Sequence, residues 1–353
     1  MTTRGPTTLP EVLDHQRTAC ARLGSTLYAD LLGATIDDVA AGGPCAAVLR
    51  PHEQEPFGSV LPLRFLGALH WLVLAGRAPG LAAHYPSAGG APGPNLVADF
   101  LAAVAELAPA IEARIHRPVQ TNEVGRCRAL VGGFVEVVRR SGLPLRVLEL
   151  GASAGLNLYW DRYWYDTGAS TFGDPASDVR FVGGWRGTPP ELGDVAVMVA
   201  ERAGCDRSPL DPTTEDGRCT LRSYVWADQV DRLQRLSAAL DIVVATPARA
   251  QVDDADLGAW AEDRLAASVP GVATVVVHSI VWQYVGAATR DRLRAALARA
   301  GAAATAEAPV AWLRMEPAGP VADVRLTWWP GGTMDVVGTT GYQGDDVRWG
   351  AGS

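Results

Sequence analysis

From Leu145 onward, short aliphatic runs alternate with stretches rich in Ala, Leu and Arg, and that alternation leaves the chain few architectures to choose from. Apolar runs of this length, bounded by turn residues, read as buried strands. They fall at Arg146–Leu150, Met198–Cys205, Leu221–Trp226, Ala273–Val281, Val310–Met315, Val324–Trp329 and Met334–Thr339, with a weaker one at Ile242–Ala245. Helical spacing marks Gln229–Leu240, Asp256–Ala267 and Thr289–Ala300. Strands and helices in alternation imply an α/β fold with a doubly wound, Rossmann-like parallel sheet. Pro330-Gly331-Gly332-Thr333 reads as a hairpin turn, so the sheet should finish on an antiparallel strand.

The preceding residues, 1–143, are patterned differently. Leu9–Leu23, Ser25–Ala40, Leu61–Ala75 and Leu96–Ile115 repeat apolar residues at helical spacing, with Gly/Pro-rich breaks between them. A last helix is expected from the capping residues Thr121-Asn122 to Arg140, stopped by Gly142. This divides the chain into an N-terminal helical domain (1–143), serving substrate or cap, and a Rossmann-like domain (144–353). Asp161–Asp194, rich in Trp, Tyr, Gly and Pro, fits no strand–helix unit and reads as an insertion at about 161–194, a hairpin or a lid.

The first strand ends on Glu149, and Gly151-Ala152-Ser153-Ala154-Gly155-Leu156-Asn157 follows. Small residues make a tight turn before a helix start and let a ligand approach the backbone. The Glu149 carboxylate stands where an ammonium group or hydroxyls are held. The segment resembles the first motif of class I methyltransferases, with which they begin their S-adenosylmethionine (SAM) site. That resemblance implies that Gly151, Ser153 and Gly155 lie under the amino-acid part of SAM, with serine where glycine is usual. Asn157 would bind the ligand carboxylate or cap the helix. Asp206 would accept the ribose hydroxyls or cap a turn, and Asp228 would contact adenine or cap the helix after it. Ala273–Val281 takes the fourth-strand position, whose carboxyl end borders the reacting methyl group. There His278 suits a general base as well as a satisfied core position, beside Trp282, Gln283 and Tyr284. The polar cluster Gln120–Arg126 supplies a second candidate base, Glu123, and the substrate-side residues Asn122 and Arg126, unless it only caps a helix. Arg64, His70, His84 and Tyr85 are weaker substrate-side candidates, His70 reading as core. The aromatics of Tyr159–Tyr165 form either a wall against a sulfonium or substrate or packing for the insertion.

Several segments together resemble domain-of-unknown-function family 2332, an uncharacterised and largely actinobacterial group. They are PVQTNEVGR (Pro118–Arg126), LELGASAGLNL (Leu148–Leu158), GCDRSPLDP (Gly204–Pro212), SYVWADQ (Ser223–Gln229), HSIVWQY (His278–Tyr284), WLRMEP (Trp312–Pro317) and the turn at Trp329–Gly332. The resemblance spans about residues 55 to 350 and implies a methyltransferase-like fold with polar motifs at the strand ends.

Charge narrows the partners. The net charge of −8 offers no basic face for nucleic acid, although a few arginines suffice for a small anion. The chain has no lysine, as in proteins from GC-rich genomes. Five cysteines without a CxxC pair read as reduced thiols rather than a metal site. No apolar leader precedes Pro10, and Phe65–Ala75 is too short to span a bilayer. The expectation is a cytoplasmic, SAM-dependent methyltransferase of a small molecule, with no metal, nucleic-acid or membrane partner. Two alternatives remain. Gly151–Gly155 also spells GxSxG, so Ser153 with His278 and one of Asp253, Asp254 or Asp256 suits an α/β-hydrolase. A non-catalytic binding protein of the same fold is the other.

Overall fold

The computed structural model describes residues 8–193 and 195–350. In chain order the helices begin with α1 (Leu9–Arg22), α2 (Thr26–Ala41), α3 (Pro44–Leu49), α4 (Leu61–Leu74), α5 (Pro79–Ala82), α6 (Leu96–Ile115) and α7 (Cys127–Ser141). Strand β1 (Leu145–Leu150) follows, then β2 (Trp164–Asp166), β3 (Thr171–Gly173), β4 (Arg180–Val182), β5 (Trp185–Arg186) and β6 (Val199–Asp206). Next come α8 (Glu215–Ser223), α9 (Val230–Ala245), β7 (Gln251–Asp254), α10 (Leu257–Arg264), β8 (Ala273–Ser279) and α11 (Ala287–Ala302). The chain closes with β9 (Val310–Ala318), β10 (Val321–Trp329), β11 (Thr333–Thr340) and β12 (Val347–Trp349).

These elements form two compact units. One holds the chain up to Thr121 together with Thr213–Gln234; the other holds Asn122–Pro212 and the chain from Arg235. The division expected at 143/144 therefore falls at 121/122, and the boundary recurs inside α9. Helix α7 joins the sheet unit because it packs on β8 to β11.

The helical unit is built from capped, amphipathic helices. Thr8 and Glu11 make a reciprocal capping box on α1, and Ser25 caps α2, which ends on left-handed Gly42. Helix α4 is buried on nearly every face. Phe57–Leu74 matches a membrane span in length and mean hydropathy, yet most of it is buried inside this unit. Within α4, Gly67 has no Cβ because one would lie 2.6 Å from the Tyr224 ring. His70 bonds Ser87 Oγ (2.8 Å) and the Ser223 carbonyl (3.1 Å), and burial pulls its pKa to about 4. It is a neutral core histidine. His84 bridges Asp99 and the Gly93 amide, Arg64 pairs with Glu55, and Tyr85 is fully buried.

The other unit is mixed α/β. Its large sheet has the order β5-β12-β11-β10-β9-β8-β1-β6-β7. Strands β7, β6, β1, β8 and β9 are parallel; β9, β10, β11 and β12 form an antiparallel meander. All residues of β1 and β8 are buried, as central strands covered on both faces require. From β1 the chain reaches β6 on one side and later β8 on the other, so the winding reverses at β1/β8. In open α/β sheets ligands bind outside the carboxyl ends at such a point.

Two local expectations are corrected. Leu221–Trp226 is not a strand: Thr214 caps α8 there, with Glu215 and Asp216 in the first turn. Ile242–Ala245 is the end of α9, because Leu236, Ala239, Leu240 and Val243 bury one helical face despite the β-branched run. The helix expected after Gly155 is a 3-10 helix, Leu156–Arg162. The insertion folds as a second sheet, β3-β2-β4, and sends β5 to the edge of the large sheet beside β12. The aromatics of Tyr159–Tyr165 pack against neighbouring rings: Trp160 stacks on Phe134 at 4.2 Å and Tyr165 on Phe181 at 5.1 Å. Asp194 lies outside the described residues.

Candidate functional site

Strand register sorts the candidate residues onto two faces of the sheet. Glu149 stands opposite Val277 of β8. Side chains alternate along a strand, so Glu149 faces one side and His278 the other. Sequence spacing does not reveal this separation.

On the Glu149 side, the carboxyl is buried. One interaction ties it to Asn157, whose Oδ1 accepts from Cys127 Sγ at 3.3 Å. Its second oxygen, Oε2, is buried with no partner. Burial raises the pKa to about 8, against the pull of the Arg126 guanidinium and Asn157. Arg126 donates to the Ser279 carbonyl (3.0 Å) and the Tyr342 carbonyl (3.2 Å). Buried Glu123 caps the 3-10 turn before α7, accepting from the Gly125 amide at 2.9 Å. The capping role expected of Thr121-Asn122 therefore belongs to Glu123.

The loop after β1 is closed upon itself. The amides of Gly151 and Ala152 donate to the Cys205 carbonyl, and that of Gly155 to the Ala152 carbonyl. The Ser153 amide donates to Asp206 Oδ2 (3.0 Å), while Asn122 Oδ1 accepts from Ala154 (3.2 Å) and Leu156 (3.0 Å). Every amide from Gly151 to Leu156 is thus satisfied within the protein. A Cβ on Gly151 would lie 2.6 Å from Val281, and one on Gly155 2.9 Å from Val252. These glycines make room for the side chains of Val281 and Val252. Both also have positive φ, which glycine adopts without strain. Asn122 anchors the loop through these two bonds. Asp206 also caps its own turn, accepting from the Ser208 amide at 3.0 Å. Asp228 lies in the helical unit, after a helix rather than a third strand. It accepts from Ser25 Oγ (2.7 Å) and the Leu27 amide (3.1 Å), which fixes the start of α2.

On the other face, His278 Nδ1 lies 2.6 Å from Glu316 Oε1. A carboxylate only accepts, so Nδ1 donates this bond. Nε2 is buried without a partner. Glu316 also accepts from the amides of Val281 (3.1 Å) and Trp282 (3.2 Å), and the Trp282 ring stacks on the imidazole. Gln283 and Tyr284 are exposed beyond it, Tyr284 by 57%, and neither reaches His278 through a hydrogen bond. Glu316 was not anticipated as a site residue. Trp312, Arg314 and Glu316 alternate with apolar residues, a period-two signal that puts them in phase on one face.

The hydrolase constellation is not assembled. Ser153 Oγ and His278 Nε2 are both buried and unpartnered, so they do not bond each other. Asp253 holds Trp260 Nε1, Asp256 caps α10, and exposed Asp254 makes no bond to the imidazole. The acid on His278 is Glu316, which follows it in the chain.

The family signature of uncharacterized bacterial proteins matches residues 11–349. The chain belongs to the DUF2332 family. Comparison with curated proteins and with solved structures gave no match.

Proposed function

We propose that this DUF2332 protein is a SAM-dependent methyltransferase acting on a small molecule. The observation that carries the reading is Glu149: a buried carboxyl at the carboxyl end of β1, beside the point where the sheet reverses, with one oxygen left unpartnered. An ammonium group offers the missing donor and a counter-charge together. The glycine loop does not fit the ligand as a bare cradle, since its amides are engaged. Glu149 therefore anchors the amino-acid end. A cleft of about 250 Å³ beside the loop, lined by Ala154, Tyr159, Leu210, Asp211, Arg249 and Val252, suits a nucleoside half better than a whole cofactor. SAM supplies an electrophilic sulfonium methyl when bound. Of the two candidate bases, Glu123 belongs to the Glu149 side and His278 does not. Glu123 therefore takes the acceptor's proton if one must leave. Positioning contributes most of the rate in such a transfer.

Isothermal titration with SAM tests the reading, with Glu149→Gln as the paired variant. Saturable binding that the variant weakens at least tenfold supports it. Absence of heat and of thermal shift at millimolar SAM removes it.

A further inference from the structure

The α11 face of the sheet carries more arginine charge than its own acids offset. Register sets His278, Arg314 and Arg325 side by side on β8, β9 and β10. The Arg314 guanidinium lies 3.9 Å over Trp312. Arg290 and Arg294, on α11, lie 5.3 and 5.2 Å over Trp282, and the two indoles are 6.1 Å apart. Asp323 pairs with Arg325 at 2.7 Å, and Asp291 with Arg294 at 3.0 Å. Glu316 is committed to His278 and to two backbone amides. Among the described residues neither Arg290 nor Arg314 forms an ion pair with a carboxylate, and Glu316 acts on Arg314 only at longer range. Arg290 donates to the Trp282 carbonyl (2.7 Å) and Arg314 to Thr327 Oγ1 (3.1 Å).

Two further donors of the cluster, Arg290 Nε and Trp312 Nε1, are buried without partners. Burial, then neighbouring Arg325, lower the Arg314 pKa to about 10, which an added anion would reverse. Arg294 is exposed and Arg314 half-buried, so the cluster opens to solvent on this side. Between His278 and Trp282, Ile280 adopts φ +52°. That conformation is costly for a β-branched residue, and such strain gathers at functional sites.

We propose that Arg290 and Arg314, walled by Trp282 and Trp312 beside His278, bind the oxyanion group, carboxylate or phosphate, of a small-molecule ligand. Guanidinium groups match such oxyanions in charge and in fork geometry. This site lies on the opposite face from Glu149 and does not rest on the methyltransferase reading.

The test titrates the full chain with inorganic phosphate and, separately, with acetate at constant ionic strength, reading tryptophan fluorescence. A saturable change is expected for at least one anion. Arg314→Gln should weaken the apparent affinity at least tenfold and Arg290→Gln several-fold. Trp312→Phe provides a third variant should Arg314→Gln not fold, and should weaken it too. Glu149→Gln should leave the response unchanged, which separates this site from the SAM proposal. Tighter phosphate binding indicates a phosphoryl ligand and tighter acetate binding a carboxylate. A linear, non-saturating response to both anions, or variants that respond like the wild type, overturns the proposal.

Discussion

Replacing Glu149 by glutamine should stabilise the protein, and only above a definite pH. The carboxyl titrates at 4.5 when unperturbed and at about 8 in the folded chain, mainly through burial. Between those values the folded state holds a proton that the unfolded state has lost. Wild-type stability therefore falls as pH rises through this window, by up to about 1.4 kcal/mol per pH unit. Across the whole interval the loss is about 5 kcal/mol. Glutamine has the same shape, still accepts from Asn157 and never ionises. The variant and the wild type should have similar pH dependence below about pH 4.5, diverge to about pH 8, and run parallel above it. Urea unfolding followed by tryptophan fluorescence from pH 5 to pH 9 measures the gap directly. A stability difference that is the same at both ends would show that the carboxyl is not held protonated, and the burial argument would fail.

SAM affinity should rise with pH up to about 8, roughly tenfold per unit, because Glu149 must release its proton to meet an ammonium; calorimetry in buffers of different ionisation enthalpy should detect that proton. Asp161 receives a two-pronged bond from Arg202 at 2.6 and 2.7 Å, both side chains being 13% exposed. Asp161→Asn should cost about 3 kcal/mol in urea unfolding. Asp228→Ala should cost about 1–2 kcal/mol, since the α2 terminus loses two bonds. Fluorophosphonate should leave Ser153 unlabelled, because no base bonds its hydroxyl; mass spectrometric detection of the adduct would reinstate the hydrolase reading.

Much of the architecture was legible in one dimension. The fully buried strands β1 and β8 stand out as aliphatic runs, and Gly142 marks the end of α7 as expected. Misreadings occurred where burial overrode local preference. Ile242-Val243-Val244 looks like a strand, but the spacing of Leu236, Ala239, Leu240 and Val243 already carried the helical answer. β7 was missed because a short, polar edge strand lacks any apolar run.

Residue types alone determined which groups have chemistry to offer: an acid ending the first strand, a histidine ending another, and arginine as the fixed cation. Only the tertiary structure decided their company. A one-residue offset in strand register sends Glu149 and His278 to opposite faces, and the pairing of β8 with β9 brings Glu316, thirty-eight positions downstream, onto the imidazole. Whether a glycine faces a ligand or a neighbouring valine likewise depends on which chain segment fills the space above it, and local sequence does not encode that.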